Sequence, residues 1–443
     1  MDGIRYYDIR HVTGQSTHID IDNGVTESAG TSYFDHAVIR ALSGRGWGIL
    51  TVDNFSERTK SEIRTLIRNA GRISAITAEE VSLADTVRGI RPVPSMHENP
   101  GDVSIEEKAD LMLSIERAAK VAGIVNTRAN YSERFEEVFF RDSSGTSELY
   151  EICRSGFGIM AVASRNGLLQ MGYERRHSIR GLNIRHQQEL GRSAGDRAVA
   201  LLSALPAKGG TMSAVLDPEL AGVFAHEAVG HASEGDLIQE GNSVLAGRIG
   251  ERIGGRNVTI VDDPSLPEFG FEPCDAEGSR VERTEIITRG VVAGFLHSRE
   301  TLAAVGNGHT GNARAMPGEP PLVRMSNTFI EPGESCPEEL IAECRNGILL
   351  KGSRGGQVDP GRGIFQFNAE YGYLIEKGEC TRMVRDVSLS GEILQTLHSI
   401  QLCAGDRQMH QGYCGKGGQS VPVSDGAPHI LLTGAVVGGS VSD

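Results

Sequence analysis

One stretch constrains this chain more than any other: Val223 to Asp236, in which His226 and His231 flank Glu227 within a run of small apolar residues. Neutral imidazole nitrogens suit Zn²⁺, and a carboxylate next to the first ligand can take a proton from water at the metal. The familiar H-E-x-x-H pattern works because residues four apart share a helix face. Here the second histidine comes one residue later. Five residues turn an α-helix through about 500°, which leaves the two side chains about 140° apart. They can meet one ion only where an i→i+5 bulge widens the helix, or where the helix stops before His231. Gly230 lacks a Cβ and tolerates either, so the sequence predicts a distorted turn from Ala228 to Gly230. Taken alone in a chain of this length the pattern is a weak motif, since such matches also arise without a metal.

The length of 443 residues accommodates two or three domains with full hydrophobic cores. The formal net charge of −14 disfavours nonspecific binding to nucleic acid, which needs a basic surface. Seven cysteines without a C-x-x-C pair point to reduced thiols and a cytoplasmic setting. The N-terminus has no apolar leader, and no uncharged apolar run reaches the length of a membrane span, so no membrane association is expected.

Tyr6 to Thr51 reads as β structure with a turn at Asp22-Asn23-Gly24, and Trp47 reads as a sheet-packing residue. A helix capped by Asn54 or Ser56 follows, with Ile63, Leu66, Ile67 and Ala70 on its apolar face, and a short second helix is expected at 77–86. Ser104 and Glu107 have capping-box spacing ahead of a helix that runs to about Ala122. Residues 124–163 alternate as an antiparallel meander, and a helix is predicted from His186 to about Leu205. Beyond it the high glycine content and short alternating runs indicate β structure, with hairpins at 284–296 and 370–387. The expected class is α+β. It comprises an N-terminal α+β subdomain (1–95), a central α+β subdomain with an antiparallel sheet (100–210), and a C-terminal β-rich domain (211–443) carrying the metal-site helix.

Four segments, taken together, resemble one family. They are His226 to Asp236, Asn312-Ala313-Arg314 with Pro321 to Thr328, Gly355 to Asp359, and Cys414 to Val423. In order and content they are similar to the TldD/PmbA family of zinc peptidases and their metal-free paralogues, over most of the chain. The intact H-E-x-x-x-H resembles the TldD-like, active branch. The resemblance implies a Zn²⁺ cofactor held by His226, His231 and Cys414, with Glu227 as general base. A thiolate ligand suits zinc, and the glycines around Cys414 would allow a tight loop there. It also implies unfolded or short peptides as substrates, in an internal chamber formed by a homodimer or by a heterodimer with a PmbA-like paralogue. Gly356, Gln357 and Val358 are candidates for an edge that pairs with an extended peptide. Glu234 and Asp236 are candidates either to orient an imidazole or to close a turn. His297, His309, His410 and His429 are alternative ligands on chemistry alone. The competing functions are a non-catalytic PmbA-like partner subunit and another metal-dependent amide hydrolase.

Overall fold

A computed structural model describes residues 3–439. Its N-terminal half is one six-stranded antiparallel sheet, built from β1 (Tyr6–Asp22), β2 (Val25–Leu42), β3 (Gly48–Asp53), β4 (Ile124–Asp142), β5 (Ser147–Arg165) and β6 (Leu168–Ser178) in the order β3-β2-β1-β4-β5-β6. β1 pairs with β4 along almost its whole length, so the segments before and after residue 95 share a sheet. The helices are α1 (Lys60–Ile76), α2 (Ile105–Ala119) and α3 (Gln188–Leu201). Strand alternation sends Ile9, Ile19 and Ile21 toward these helices, while Val12 points the other way, onto Phe269 and Phe271 of the C-terminal half.

Three sequence expectations in this half are corrected. The first helix starts at Lys60 behind a capping box of Thr59 and Glu62, not behind Asn54 or Ser56. Residues 77–86 form an irregular segment instead of a helix. There Val81 donates its amide to the Arg45 carbonyl and packs with Tyr6 and Leu42, so a tertiary docking site outweighs local helical preference. Ser104 caps α2 as expected, but Glu107 turns outward to Arg185 at 2.8 Å instead of closing the box.

The C-terminal half has two mixed sheets. One runs in the order Val291–Val292, Thr284–Thr288, Ile260–Asp262, Asn327–Ile330, Gln419–Ala427, Gln408–Lys416. The other begins at the edge strand Gly356–Asp359 and passes through Ile364–Asn368, Ser388–Glu392, Ile430–Gly438, Gly210–Leu216 and Asn346–Lys351 to the 371–385 hairpin. Between them lies α4 (Pro218–Phe224) with the histidine turn that continues it. Asp217 caps α4 by accepting the Leu220 amide at 2.9 Å, and its other oxygen accepts the Gly352 amide from the second sheet at 3.0 Å. Leu220, Phe224 and Val229 are fully buried in the core shared by both sheets. Each such side chain contributes about 1.5–3 kcal/mol through removal from water. The site is therefore built on an element packed into the core between the two sheets.

Candidate metal centre

The turn from Ala225 to Gly230 is a π-helix, followed by a 3₁₀ turn from His231 to Ser233. The His231 amide donates to the His226 carbonyl five residues back. Of the two geometries the extra residue allows, this is the widened one, beginning three residues before the expected Ala228, and it turns the two rings toward each other with centroids 5.3 Å apart and planes perpendicular. Gly230 is needed for a reason the sequence did not show. Its backbone is ordinary right-handed helix, but a Cβ there would lie 2.0 Å from the sulfur of Met325, a fully buried side chain under the turn.

Cys414 reaches the same place from strand Gln408–Lys416, its sulfur 3.4 Å from His231 Nε2. Donor atoms of His226, His231 and Cys414 all lie within 4.8 Å of one another, and among the described residues these three form the one such cluster of His, Cys, Asp or Glu. Around tetrahedral zinc such donors stand about 3.3–3.7 Å apart, so a small contraction would close the set. Cys414 is not in a tight loop. It sits on a regular strand, and the tight turn is Gly417-Gly418 beyond it, both with positive φ, as a two-residue hairpin requires.

The electrostatics favour a cation. Burial opposes ionisation of the Cys414 thiol, but the His226 and His231 rings beside it bring its pKa down to about 4. By contrast, burial pushes Cys153 and Cys403 up to about 12, and these are ordinary core cysteines. Not all the remaining cysteines are buried, for Cys336 and Cys380 are exposed. Burial works against a charged His231, yet Glu234 and Cys414 raise its pKa well above the usual value. For His226, likewise, the Cys414 charge outweighs burial and raises the pKa. Its Nδ1 is buried with no hydrogen-bond partner among the described residues. A thiolate held between imidazoles, with an orphaned ring nitrogen, is a donor set that fits zinc, because a bound cation can take the place of the protons.

Glu227 is the more open member of the site, its side chain 30% exposed and its Oε2 3.7 Å from His231 Nε2. Glu234 is fully buried, and its Oε2 accepts from His231 Nδ1 at 3.1 Å, which leaves Nε2 directed at the Cys414 sulfur. Asp236 instead pairs with Lys416 at 2.6 Å.

The Asn312–Arg314 and Pro321–Thr328 segments form the floor. Fully buried Asp262 accepts from Asn312 Nδ2, the Ser326 amide and hydroxyl, and the Thr328 hydroxyl, fixing the loop that holds Met325. Arg314 donates to the Met325 and Pro422 carbonyls, and Arg324 to the Cys414 carbonyl. Arg324 is completely buried, and its bond to the Cys414 carbonyl braces the cysteine backbone from behind. Residue spacing assigns no role to Lys416, Arg324, Met325 or Asp262, which brace the candidate site in the folded chain. The first three lie inside the quoted motifs.

The other histidines are elsewhere. His297 is fully buried against the Thr301 hydroxyl, His309 meets Thr284, His410 faces Glu219 at 4.0 Å, and His429 pairs with Asp406. Gly356, Gln357 and Val358 lie on the edge strand of the second sheet, next to the histidine turn. No helix among the described residues is long and apolar enough to cross a membrane.

Sequence models of a known family match most of the chain: PmbA/TldA metallopeptidase domain 1 at residues 7–74, the central domain at 98–202, and the C-terminal domain at 209–439. A metalloprotease of Methanothermobacter thermautotrophicus is 40% identical, covering 99% of this chain and 96% of its own length. A zinc metalloprotease TldD homolog of Saccharolobus solfataricus is 29% identical, with 95% of each chain covered. The crystal structure of TldE from Thermococcus kodakarensis has the same fold, with a TM-score of 0.77 at 18% identity over 98% of this chain and 97% of that one. With its widened histidine turn, its converging cysteine and these full-length likenesses, the chain belongs to the PmbA/TldD family of metallopeptidases.

Proposed function

We propose that this protein is a zinc-dependent peptidase whose ion is held by His226, His231 and Cys414, with Glu227 as general base. The observation that carries the reading is the convergence of the three donors at the π-turn, with Glu227 on the open side. Zinc, when bound, supplies Lewis acidity toward an amide carbonyl and acidifies nearby water. Glu227 then accepts a proton at its carboxylate from the attacking water and returns it to the departing amine. Glu234 keeps the His231 ring in one orientation and one tautomer through Nδ1. Arg324 anchors the Cys414 backbone.

The substrate is a short or unfolded peptide in extended form. The free edge of strand Gly356–Asp359 beside the turn supports this, because an added strand is held through main-chain hydrogen bonds with little side-chain selectivity. Family resemblance adds assembly with a second copy, or with a PmbA-like paralogue, around an internal chamber. The test is cleavage of an unstructured peptide by the purified chain, with and without chelator, alongside elemental analysis. Zinc near one equivalent and chelator-sensitive cleavage are expected, with Glu227→Ala losing cleavage while keeping its zinc. Turnover in Glu227→Ala comparable to the parent would overturn the role of that carboxylate. Products lacking a cut peptide bond would redirect the assignment to another amide hydrolase.

A further inference from the structure

We propose that Lys416 is a positioning residue that docks the cysteine strand onto the histidine turn, and so governs whether the three donors can close on one ion. The inference rests on the zinc reading above and adds the residue that assembles the site. Cys414 is more than 180 residues from His231 in sequence, on a strand of another part of the core. Something must hold the two segments in register to within a few tenths of an ångström, because metal–ligand distances tolerate little error.

Lys416 is placed to do this. It follows Cys414 by two residues on the same strand, just before the Gly417-Gly418 turn. Its ammonium donates to Glu234 Oε2 at 3.0 Å, Asp236 Oδ2 at 2.6 Å and the Val323 carbonyl at 3.1 Å, which uses all three of its protons. Three segments thus meet at one nitrogen: the histidine turn, the floor loop and the cysteine strand. The Glu234 oxygen that receives Lys416 is also the one that receives His231 Nδ1. The other oxygen of Glu234 is buried without a partner, so this fully buried carboxylate depends on those two donors. Without the ammonium, Glu234 is an under-paired buried charge and must shift or draw in water. Either change releases the His231 ring and loosens the strand carrying Cys414. A salt bridge serving only general stability would not need to share its acceptor atom with a metal-ligand candidate.

The experiment compares the full-length parent, Lys416→Met and Lys416→Arg. Zinc affinity is measured by competition with a chromophoric chelator. The sulfur-to-metal charge-transfer absorption is recorded after cobalt substitution, and melting temperature is recorded for the metal-free proteins. Lys416→Met should bind zinc about 10- to 100-fold more weakly, the usual effect of removing a partner behind a ligand, with weaker charge-transfer absorption per bound cobalt. Lys416→Arg, which keeps the charge and donors, should recover part of both. Zinc affinity within twofold of the parent and an unchanged cobalt spectrum in Lys416→Met would overturn the proposal alone. A parent chain that binds no zinc would overturn the zinc reading and this proposal with it. Should Lys416→Met fail to fold, Asp236→Asn reports instead, since it removes one anchor of the ammonium at a partly exposed position. Weakened zinc binding there supports the docking role, and parental affinity refutes it.

Discussion

Replacing Gly230 by Ala sets two effects of opposite sign against each other. Gly230 has right-handed helical φ and ψ, so on backbone grounds alanine should stabilise the turn by about 0.5–1 kcal/mol. Packing says otherwise. The new Cβ would sit 2.0 Å from Met325 Sδ and 3.1 Å from its Cγ, against an ordinary contact of 3.4–4 Å. The methionine is flexible, but it is fully buried on a loop clamped by Asp262, Arg314 and Arg324, and has little room to retreat. Overpacking of this kind costs about 1–3 kcal/mol. The clash should win, and because it lies inside the π-turn, the loss should appear in the geometry of the two imidazoles. Zinc affinity in Gly230→Ala is therefore expected to fall by roughly 2- to 30-fold, the equivalent of the net of about 0.5–2 kcal/mol. Competition with a chelator measures it directly. The Gly230→Ala/Met325→Ala pair checks the cause, since removing the sulfur should restore much of the loss and give a coupling of at least about 1 kcal/mol. Parental zinc affinity and raised thermal stability in Gly230→Ala would refute the packing argument. Additive effects in the double mutant would show that Met325 is not what excludes a side chain at 230.

Other consequences can be measured separately. In the metal-free protein, the thiolate ultraviolet absorbance that Cys414→Ser removes should persist well below neutral pH and disappear only around pH 4; titration near the ordinary value of 9 would contradict the electrostatic account. His297, buried and with its pKa pushed down to about 4 chiefly by burial, stays neutral where the unfolded chain, titrating near 6.5, takes a proton. Its contribution to stability is complete above pH 6.5 and lost as the pH falls toward 4, on the order of 3 kcal/mol at about 1.4 kcal/mol per pH unit. His297→Gln should flatten that acid limb of the melting curve and leave zinc content unchanged; an unchanged acid limb would rule the residue out. Asp262→Asn turns an acceptor of four donors into a group with its own N–H facing them, and should destabilise by about 1–3 kcal/mol in thermal or urea melts.

Helix periodicity was enough to show that an H-E-x-x-x-H segment cannot serve one ion on a regular helix, and the π-turn answers that constraint locally. The long alternating strands, the turn at Asn23-Gly24 and the Ser104 cap were equally readable, because each depends on residues within a few positions. The 77–86 segment was misread because a docking site on Tyr6 and Leu42 fixes it, and local propensity is blind to that.

Residue types and spacing were enough to point to the candidate donors, to a distorted turn between the two histidines and to the family these motifs resemble. Tertiary structure alone decided which atoms oppose which: Met325 beneath Gly230, Arg324 behind Cys414, and Lys416 bridging to Glu234. The physical reason is one of range. Backbone hydrogen bonding and side-chain periodicity are local, and can be read from neighbouring residues. Close packing and buried charge compensation depend on segments that only the folded core brings together.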